Sequence, residues 1–384
     1  MARRQGGILR LLGLYLHIPF CSAICNYCNF NRGLYNEPLK TRYVAALTRE
    51  ILQSPYGGRP VDTVFFGGGT PSLLEPAEIA GLVDACARRF DLSTAPEVTL
   101  EANPETVSVK RLAAYRDAGV NRLSFGVQSL RDDELKRLSR LHGADRARRA
   151  FDEARDAGFD NISLDLMMWL PGQRVEDWLE SVDGVLALDP DHLSLYLLEV
   201  YPNAPLKEEM ARSRWSQAPD DDAATMYLSA MDRLDAHGYE QYEISNVAKP
   251  GRASRHNLKY WSDGEWLGFG CGAHSTVDGA RWKNVSATED FIVAIDRHGA
   301  AAAGDRRLLS AQERLGDALF TGLRLAEGVD ERAIRARYGV DVWGRYGAEL
   351  TRSVDAGLLL REGGRLRLTR AGMLLANEVM LVFV

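Results

Sequence analysis

Apolar positions along the chain follow two alternating periods. Short runs rich in Val, Ile, Leu and Phe occupy 14–18, 61–66, 97–102, 122–127, 161–167 and 192–198. Between them apolar residues recur at helical spacing over 39–52, 76–90, 107–118, 145–157 and 176–188. Val64-Phe65-Phe66 shows no polar alternation, which fits a strand buried on both faces. Glu78 falls in the first turn of its helix, and Gly119, Gly158 and Asp189-Pro190 stand where helices stop. Six such alternations predict a parallel sheet with crossover helices, either open and doubly wound or a partial barrel. In both, ligands gather at the carboxyl ends of the strands. Those ends carry the glycine-rich 67–70 segment, Glu101, Gln128, Asp165 and Glu199, so a site is expected there.

Past the sixth run the pattern changes. Residues 220–237 read as a long helix and 246–279 as a Gly-rich, aromatic segment. Helices at 310–325, 330–338 and 342–356 and a hairpin at 358–368, turning at Gly363-Gly364, suggest a small winged-helix-like α+β module. The expected organisation is an α/β partial barrel over 1–245, a connecting segment over 246–300 and a C-terminal domain over 301–384. The linker is expected at 300–304.

With 384 residues the chain can bury a full core without disulfide staples. Its formal charge of -6 argues against a sequence-independent grip on nucleic acid, which needs clustered Lys and Arg. Arg3, Arg4 and Arg10 precede an apolar stretch that is short and breaks at His17, so a first core strand after a basic tail is expected rather than a signal peptide. No run approaches the ~20 apolar residues of a membrane helix. The expectation is a cytoplasmic protein, with peripheral membrane contact left open.

Cys21, Cys25 and Cys28 form C-x3-C-x2-C directly after the first strand. Three thiolates can hold three irons of a cubane and leave the fourth open to a small molecule. The same spacing suits a zinc knuckle completed by His17 or a distant Cys. Spacing alone leaves both open. Cys86 and Cys271 read as buried core thiols.

The cysteine spacing, together with Phe65-Phe66-Gly67-Gly68-Gly69-Thr70-Pro71-Ser72 after the second strand, resembles the radical SAM superfamily. Tyr15-Leu-His17-Ile-Pro-Phe20-Cys21, Glu101-Ala-Asn-Pro104, Arg122–Ser129 and Leu170-Pro171-Gly172-Gln173 extend the likeness to the branch containing oxygen-independent coproporphyrinogen III oxidase. The resemblance implies a partial (β/α)6 barrel with a 4Fe-4S cluster on Cys21, Cys25 and Cys28. It places S-adenosylmethionine among Tyr15, Tyr27, Gly68, Gly69, Thr70, Glu101, Gln128, Arg140 and Asp165.

Within that branch Phe30 stands where the oxidase has a further cysteine, a pattern similar to the branch's heme-chaperone group. Arg255-His256-Asn257-Leu-Lys-Tyr260-Trp261 carries that group's H-N-x-x-Y-W motif. The motif implies heme at His256, with Arg252, Arg255 and Lys259 toward its propionates. The other reading of these residues is a capped turn with Tyr260 and Trp261 packed in the core. His274 is a second candidate ligand. Trp169, where the family usually has Gly, and the turn at Glu199 depart from the pattern. The resemblance implies a heme chaperone with recipient hemoproteins as partners and a flavodoxin or ferredoxin as an electron donor. The alternative is the radical oxidative decarboxylation of coproporphyrinogen III.

Overall fold

A computed structural model describes residues 11–299 and 306–384. The basic tail with Arg3, Arg4 and Arg10 and the linker expected at 300–304 lie outside the described residues. In chain order the first part runs β1 (Leu12–Ile18), α1 (Glu37–Gln53), β2 (Pro60–Gly68), α2 (Pro76–Arg89), β3 (Asp91–Ala102), α3 (Val109–Asp117), β4 (Arg122–Gln128), α4 (Asp132–Arg137), α5 (Ala144–Asp156), β5 (Ile162–Met168), α6 (Val175–Leu186) and β6 (His192–Leu197). These six strands are parallel neighbours in that order.

Local chemistry sets the element ends. The side chain of Asn36 caps α1 by accepting from Leu39 N, and Pro38 occupies its first turn. Residues on alternate sides of a strand face opposite layers. Leu12, Leu14, Leu16 and Ile18 of β1 are fully buried and share one core with Leu47 and Ile51 of α1 and Ile79 and Leu82 of α2. Each such side chain contributes about 1.5–3 kcal/mol by leaving water. The intervening Gly13, Tyr15 and His17 face the inside of the curved sheet.

The chain continues through α7 (Pro205–Ser213), α8 (Asp220–Ala236), β7 (Glu240–Glu243), β8 (Asn246–Ala248), α9 (Arg255–Trp261), β9 (Trp266–Phe269), β10 (His274–Val277), β11 (Ala280–Lys283), α10 (Thr288–His298) and β12 (Arg307–Leu308). Residues 246–300, expected as a connecting segment, supply four strands to the main sheet. Its twelve strands run β12-β11-β10-β9-β1-β2-β3-β4-β5-β6-β8-β7. Strand β9 pairs parallel with β1, and β10 and β11 follow antiparallel. The result is a partial barrel extended on both flanks.

The C-terminal unit has helices at Ala311–Gly322, Glu331–Tyr338 and Val342–Asp355. Its three antiparallel strands are Val329–Asp330, Leu359–Glu362 and Arg365–Leu368, as the winged-helix-like reading expects. It is tied to the barrel through Glu243, whose fully buried carboxylate accepts from Arg324 Nη2 at 3.1 Å and Ser245 N at 3.0 Å. Among the described residues no helix is long and apolar enough to cross a membrane.

Candidate cluster and nucleoside site

The loop after β1 folds back on the sheet. Phe20–Cys21 pairs with Gly33–Leu34, and Cys28 N donates to Cys25 O at 3.2 Å. Helix α7 grips the same loop: Leu206 N donates to Asn26 O at 3.0 Å, and the Asn26 carboxamide donates to Arg137 O at 2.8 Å and to the Glu209 carboxylate. The three loop cysteines are unpaired and partly exposed, whereas Cys86 and Cys271 are buried as expected.

Cys21, Cys25 and Cys28 line one cavity of about 450 Å³ over the carboxyl ends of β2 to β6. Burial pushes the Cys21 and Cys28 thiols up; the Thr70 hydroxyl acts against it at Cys21, and the Phe30 backbone and Arg32 act against it at Cys28.

The glycine motif brings backbone up to this loop. Gly69 N donates to Ile18 O at 2.8 Å and Thr70 N to Phe20 O at 2.7 Å. A Cβ on Gly69 would stand 2.7 Å from Phe20 O and 3.0 Å from Cys21 Sγ, so only glycine fits. Gly68, at φ +116°, donates its N–H to Glu101 Oε2 at 3.0 Å.

Arg140 joins the parts. Its Nη1 donates to Cys25 Sγ at 3.4 Å and its Nη2 to Asn103 Oδ1 and Gly126 O, each at 2.7 Å. Asn103 Nδ2 donates onward to Thr70 Oγ1 at 3.1 Å. Hydrogen bonds therefore run from Cys25 through Arg140 and Asn103 to Thr70, beside Cys21. Ser124 Oγ donates to Asp165 Oδ1 at 3.2 Å. Burial, reinforced by Asp165, raises the Glu101 carboxyl to about 8, and burial raises Asp165 to about 6.

Of the expected residues, Tyr27, Gly68, Gly69, Thr70, Glu101, Gln128, Arg140 and Asp165 line the cavity with the cysteines. Asn103, Ser124, Tyr196 and Arg32 line it too and were not singled out from sequence. Asn103 and Ser124 lie inside quoted motifs, at inward-facing or strand-end positions that a two-residue count from Glu101 and Gly126 would have flagged. Tyr15 lies one layer lower, behind Gly67 and Glu101. Its ring stacks on Phe65 at 6.2 Å and its hydroxyl donates to His17 Nδ1 at 3.1 Å, so it supports the wall instead of lining it.

His256 lies apart from the cluster cavity. Its ring is fully buried beneath the barrel, with Nδ1 2.8 Å from Thr63 Oγ1 and Nε2 2.9 Å from Tyr260 Oη. Both ring nitrogens are engaged in hydrogen bonds. The proposed propionate partners are engaged as well: Arg255 and Lys259 pair with Asp62, and Arg252 with Asp160. Tyr260 and Trp261 pack edge-to-face, and Tyr260 also against Trp266. Trp169 adopts φ +63°, where glycine is at ease, and turns its indole away from the cavity to donate to Ala218 O at 2.8 Å.

A tetrahedral zinc site needs four donors about one ion. His17 cannot complete it, because Nε2 donates to Asn31 O at 2.7 Å and Nδ1 accepts from Tyr15. Among the described residues no three His, Cys, Asp or Glu converge on a single ion. Three thiols along one cavity wall suit a multi-iron cluster, each thiolate on its own iron. Next to them Gln128, in a left-handed backbone at φ +69°, holds a buried Oε1 without a hydrogen-bond partner. An unmatched acceptor beside two raised carboxyls fits a ligand bearing ammonium and hydroxyl donors.

Residues 15–184 match the Radical SAM superfamily and residues 309–375 the HemN C-terminal domain. The heme chaperone HemW of Bacillus subtilis (strain 168) is 38% identical over 373 residues, covering 96% of this chain and 98% of that protein. The heme chaperone HemW of Escherichia coli (strain K12) is 43% identical over 270 residues, or 69% and 70% of the two chains. Among solved structures, coproporphyrinogen III oxidase (HemN) from Escherichia coli, a radical SAM enzyme, matches with a TM-score of 0.85 at 22% identity, over 97% of this chain and 90% of that one. At that identity the likeness speaks for the fold. The cysteine loop, the glycine strand end and near full-length similarity to curated relatives agree: this chain belongs to the heme chaperone HemW family of the radical SAM superfamily.

Proposed function

We propose that this protein binds heme beside a 4Fe-4S cluster and S-adenosylmethionine and passes the heme to recipient hemoproteins. The observation that carries the reading is the rim of the cluster cavity. Ile24, Phe30, Tyr196 and Leu197 stand 41–65% exposed around it, an apolar border suited to a porphyrin face. Phe30 occupies the place of the oxidase's extra thiol and offers an aromatic ring instead.

Cys21, Cys25 and Cys28 hold the cluster in this reading. When bound, cluster and nucleoside would supply one-electron chemistry, with a flavodoxin- or ferredoxin-type protein as the electron donor. The chain's own residues do the positioning. Glu101 and Asp165 would accept from the ammonium and ribose hydroxyls, with the raised Glu101 carboxyl ionising to pair with a cation. Gln128 Oε1 accepts a donor, the Tyr27 backbone meets the adenine, and Arg140 balances the thiolate charge.

The test is anaerobic reconstitution with iron and sulfide, then heme titration with and without S-adenosylmethionine. Brown protein that shifts the Soret band of added heme supports the reading. An intact cluster with no Soret change overturns it, as does growth of an oxidase-deficient strain rescued by this chain.

A further inference from the structure

Strand register sets the rows of the barrel's inner face. Directly paired residues share a face, and so do residues two apart on one strand. Thr99 pairs with Arg122, Glu101 with Ser124, and Gly126 with Asp165. Arg122, Ser124 and Gly126 of β4 therefore lie on the inner face together. Glu101, Ser124 and Asp165 line the cluster cavity, and Arg122 does not. Arg122 stands one row deeper, about 6–7 Å along the strand from Ser124.

Arg122 is only 2% exposed. Its Nε has no hydrogen-bond partner, and among the described residues its guanidinium makes no ion pair. Lys40 is the other cation buried so deeply among the described residues, and it is paired with Glu37 and Glu78. A buried charge without a contact partner is costly, and an apolar side chain of similar size would stabilise the fold more. Packing therefore does not account for an arginine here.

The surrounding groups define what its charge can act on. Below it, His192 and His256 have both ring nitrogens engaged. Burial, with Arg122 adding to it, keeps both imidazoles neutral. Burial also raises the hydroxyls of Tyr242 and of Tyr15, Tyr196 and Tyr260 near the carboxyls, so these four are neutral around pH 7. Glu97 accepts from the backbone N–H groups of Arg255 and His256, Glu243 is paired with Arg324, and Lys259 with Asp62. Above it, Arg140 is committed to Cys25, Asn103 and Gly126. Glu101 and Asp165 remain. Burial raises both carboxyls, and the Arg122 charge acts against it at both.

We infer that Arg122 is a positioning residue of the nucleoside site: its buried charge, one row beneath the cavity, steadies negative charge on Glu101 and Asp165 as they accept from the ammonium and ribose hydroxyls of S-adenosylmethionine. It acts through space, where low-dielectric surroundings carry a charge further than water does. No bond forms or breaks at Arg122, and the proton that Glu101 gives up passes to solvent. The inference rests on the S-adenosylmethionine reading above and adds a residue to it.

The experiment titrates S-adenosylmethionine into the anaerobically reconstituted full chain between pH 6 and pH 8, followed by electron paramagnetic resonance of the reduced cluster. A nearby cation favours the ionised carboxyl, so its removal favours the protonated one. Arg122→Met is expected to weaken binding about ten-fold at pH 7 and to move the acidic limb of the affinity profile up by about one pH unit. Arg122→Lys keeps the charge and is expected to keep most of the wild-type profile. Thr99→Val changes the packing beside Arg122 without changing charge and is expected to leave the limb in place. A limb that stays put in Arg122→Met, or that moves equally in Thr99→Val, overturns the inference alone. Should Arg122→Met assemble no cluster, infrared spectra of the wild type decide. The band of the protonated Glu101 carboxyl, assigned by its loss in Glu101→Gln, is expected to disappear when the nucleoside binds at pH 7, and a band that persists overturns the inference. A wild-type protein that holds its cluster and ignores the nucleoside overturns the reading of the site and this inference with it.

Discussion

Glu101 shows how the cavity sets the state of its residues. Its folded pKa of about 8 lies above the ordinary 4.5, because burial and then Asp165 disfavour the charge. The folded chain thus holds this proton more tightly than the unfolded chain, and the stability linked to it is complete below the unfolded value and falls as pH rises toward 8. Without ligand, Glu101→Gln is expected to flatten the loss of melting temperature between pH 5 and pH 8, read by parallel thermal scans. His256 works in the opposite sense. Burial first, then Lys259 and Arg122, lower it to about 3, so its contribution is present above pH 6.5 and fades as pH falls toward 3. His256→Ala removes two buried hydrogen bonds and leaves a void, costing about 2–4 kcal/mol in denaturant unfolding. The heme spectrum is expected to stay as it was; a lost axial-ligand signature would restore His256 to the iron. Gly69→Ala would force a methyl onto the Phe20 carbonyl and the Cys21 sulfur, neither of which can retreat cheaply. It is expected to abolish cluster assembly, measured as iron per chain.

At the level of elements, the cluster loop is clamped by α7, a helix whose position no motif announces. Asn26 supplies the contact, receiving Leu206 N and donating to the Arg137 carbonyl and the Glu209 carboxylate. Asn26→Ala keeps the backbone bond to Leu206 N but leaves the Arg137 carbonyl and the Glu209 carboxylate without this donor, at a cost of about 1–3 kcal/mol, spent on loop order. Faster bleaching of the reconstituted cluster under chelator is the expected result, and an unchanged rate would show the loop to be held by the thiolates alone. The predicted helices and strands of the barrel appear within a few residues of their expected bounds, since each has its own periodicity and stop signal. Helices α4, α7, α9 and α10 did not declare themselves. The first three have nine residues or fewer, and their formation depends on docking more than on propensity.

Across the whole molecule the C-terminal unit is tied to the barrel by several ion pairs, of which Arg324 with the buried Glu243 carboxylate is one. Removing Arg324 leaves the Glu243 carboxylate buried with only neutral donors, so Arg324→Ala is expected to cost about 3 kcal/mol. A separate, earlier transition for the C-terminal unit in calorimetry would show the tie broken.

The sequence by itself determined what depends on neighbours in the chain. Cysteines with three and two residues between them must share a loop, glycines must allow close backbone approach, and polar residues at successive strand ends must converge once the strands are parallel. It could not decide which histidine is buried and which is exposed. His256 and His274 are 18 residues apart in a segment without clear periodicity. Docking of α9 on Thr63 and Glu97 buries His256, and the pairing of β10 with β11 presents His274. A strand's register, set by partners hundreds of residues away, determines the face on which each side chain emerges.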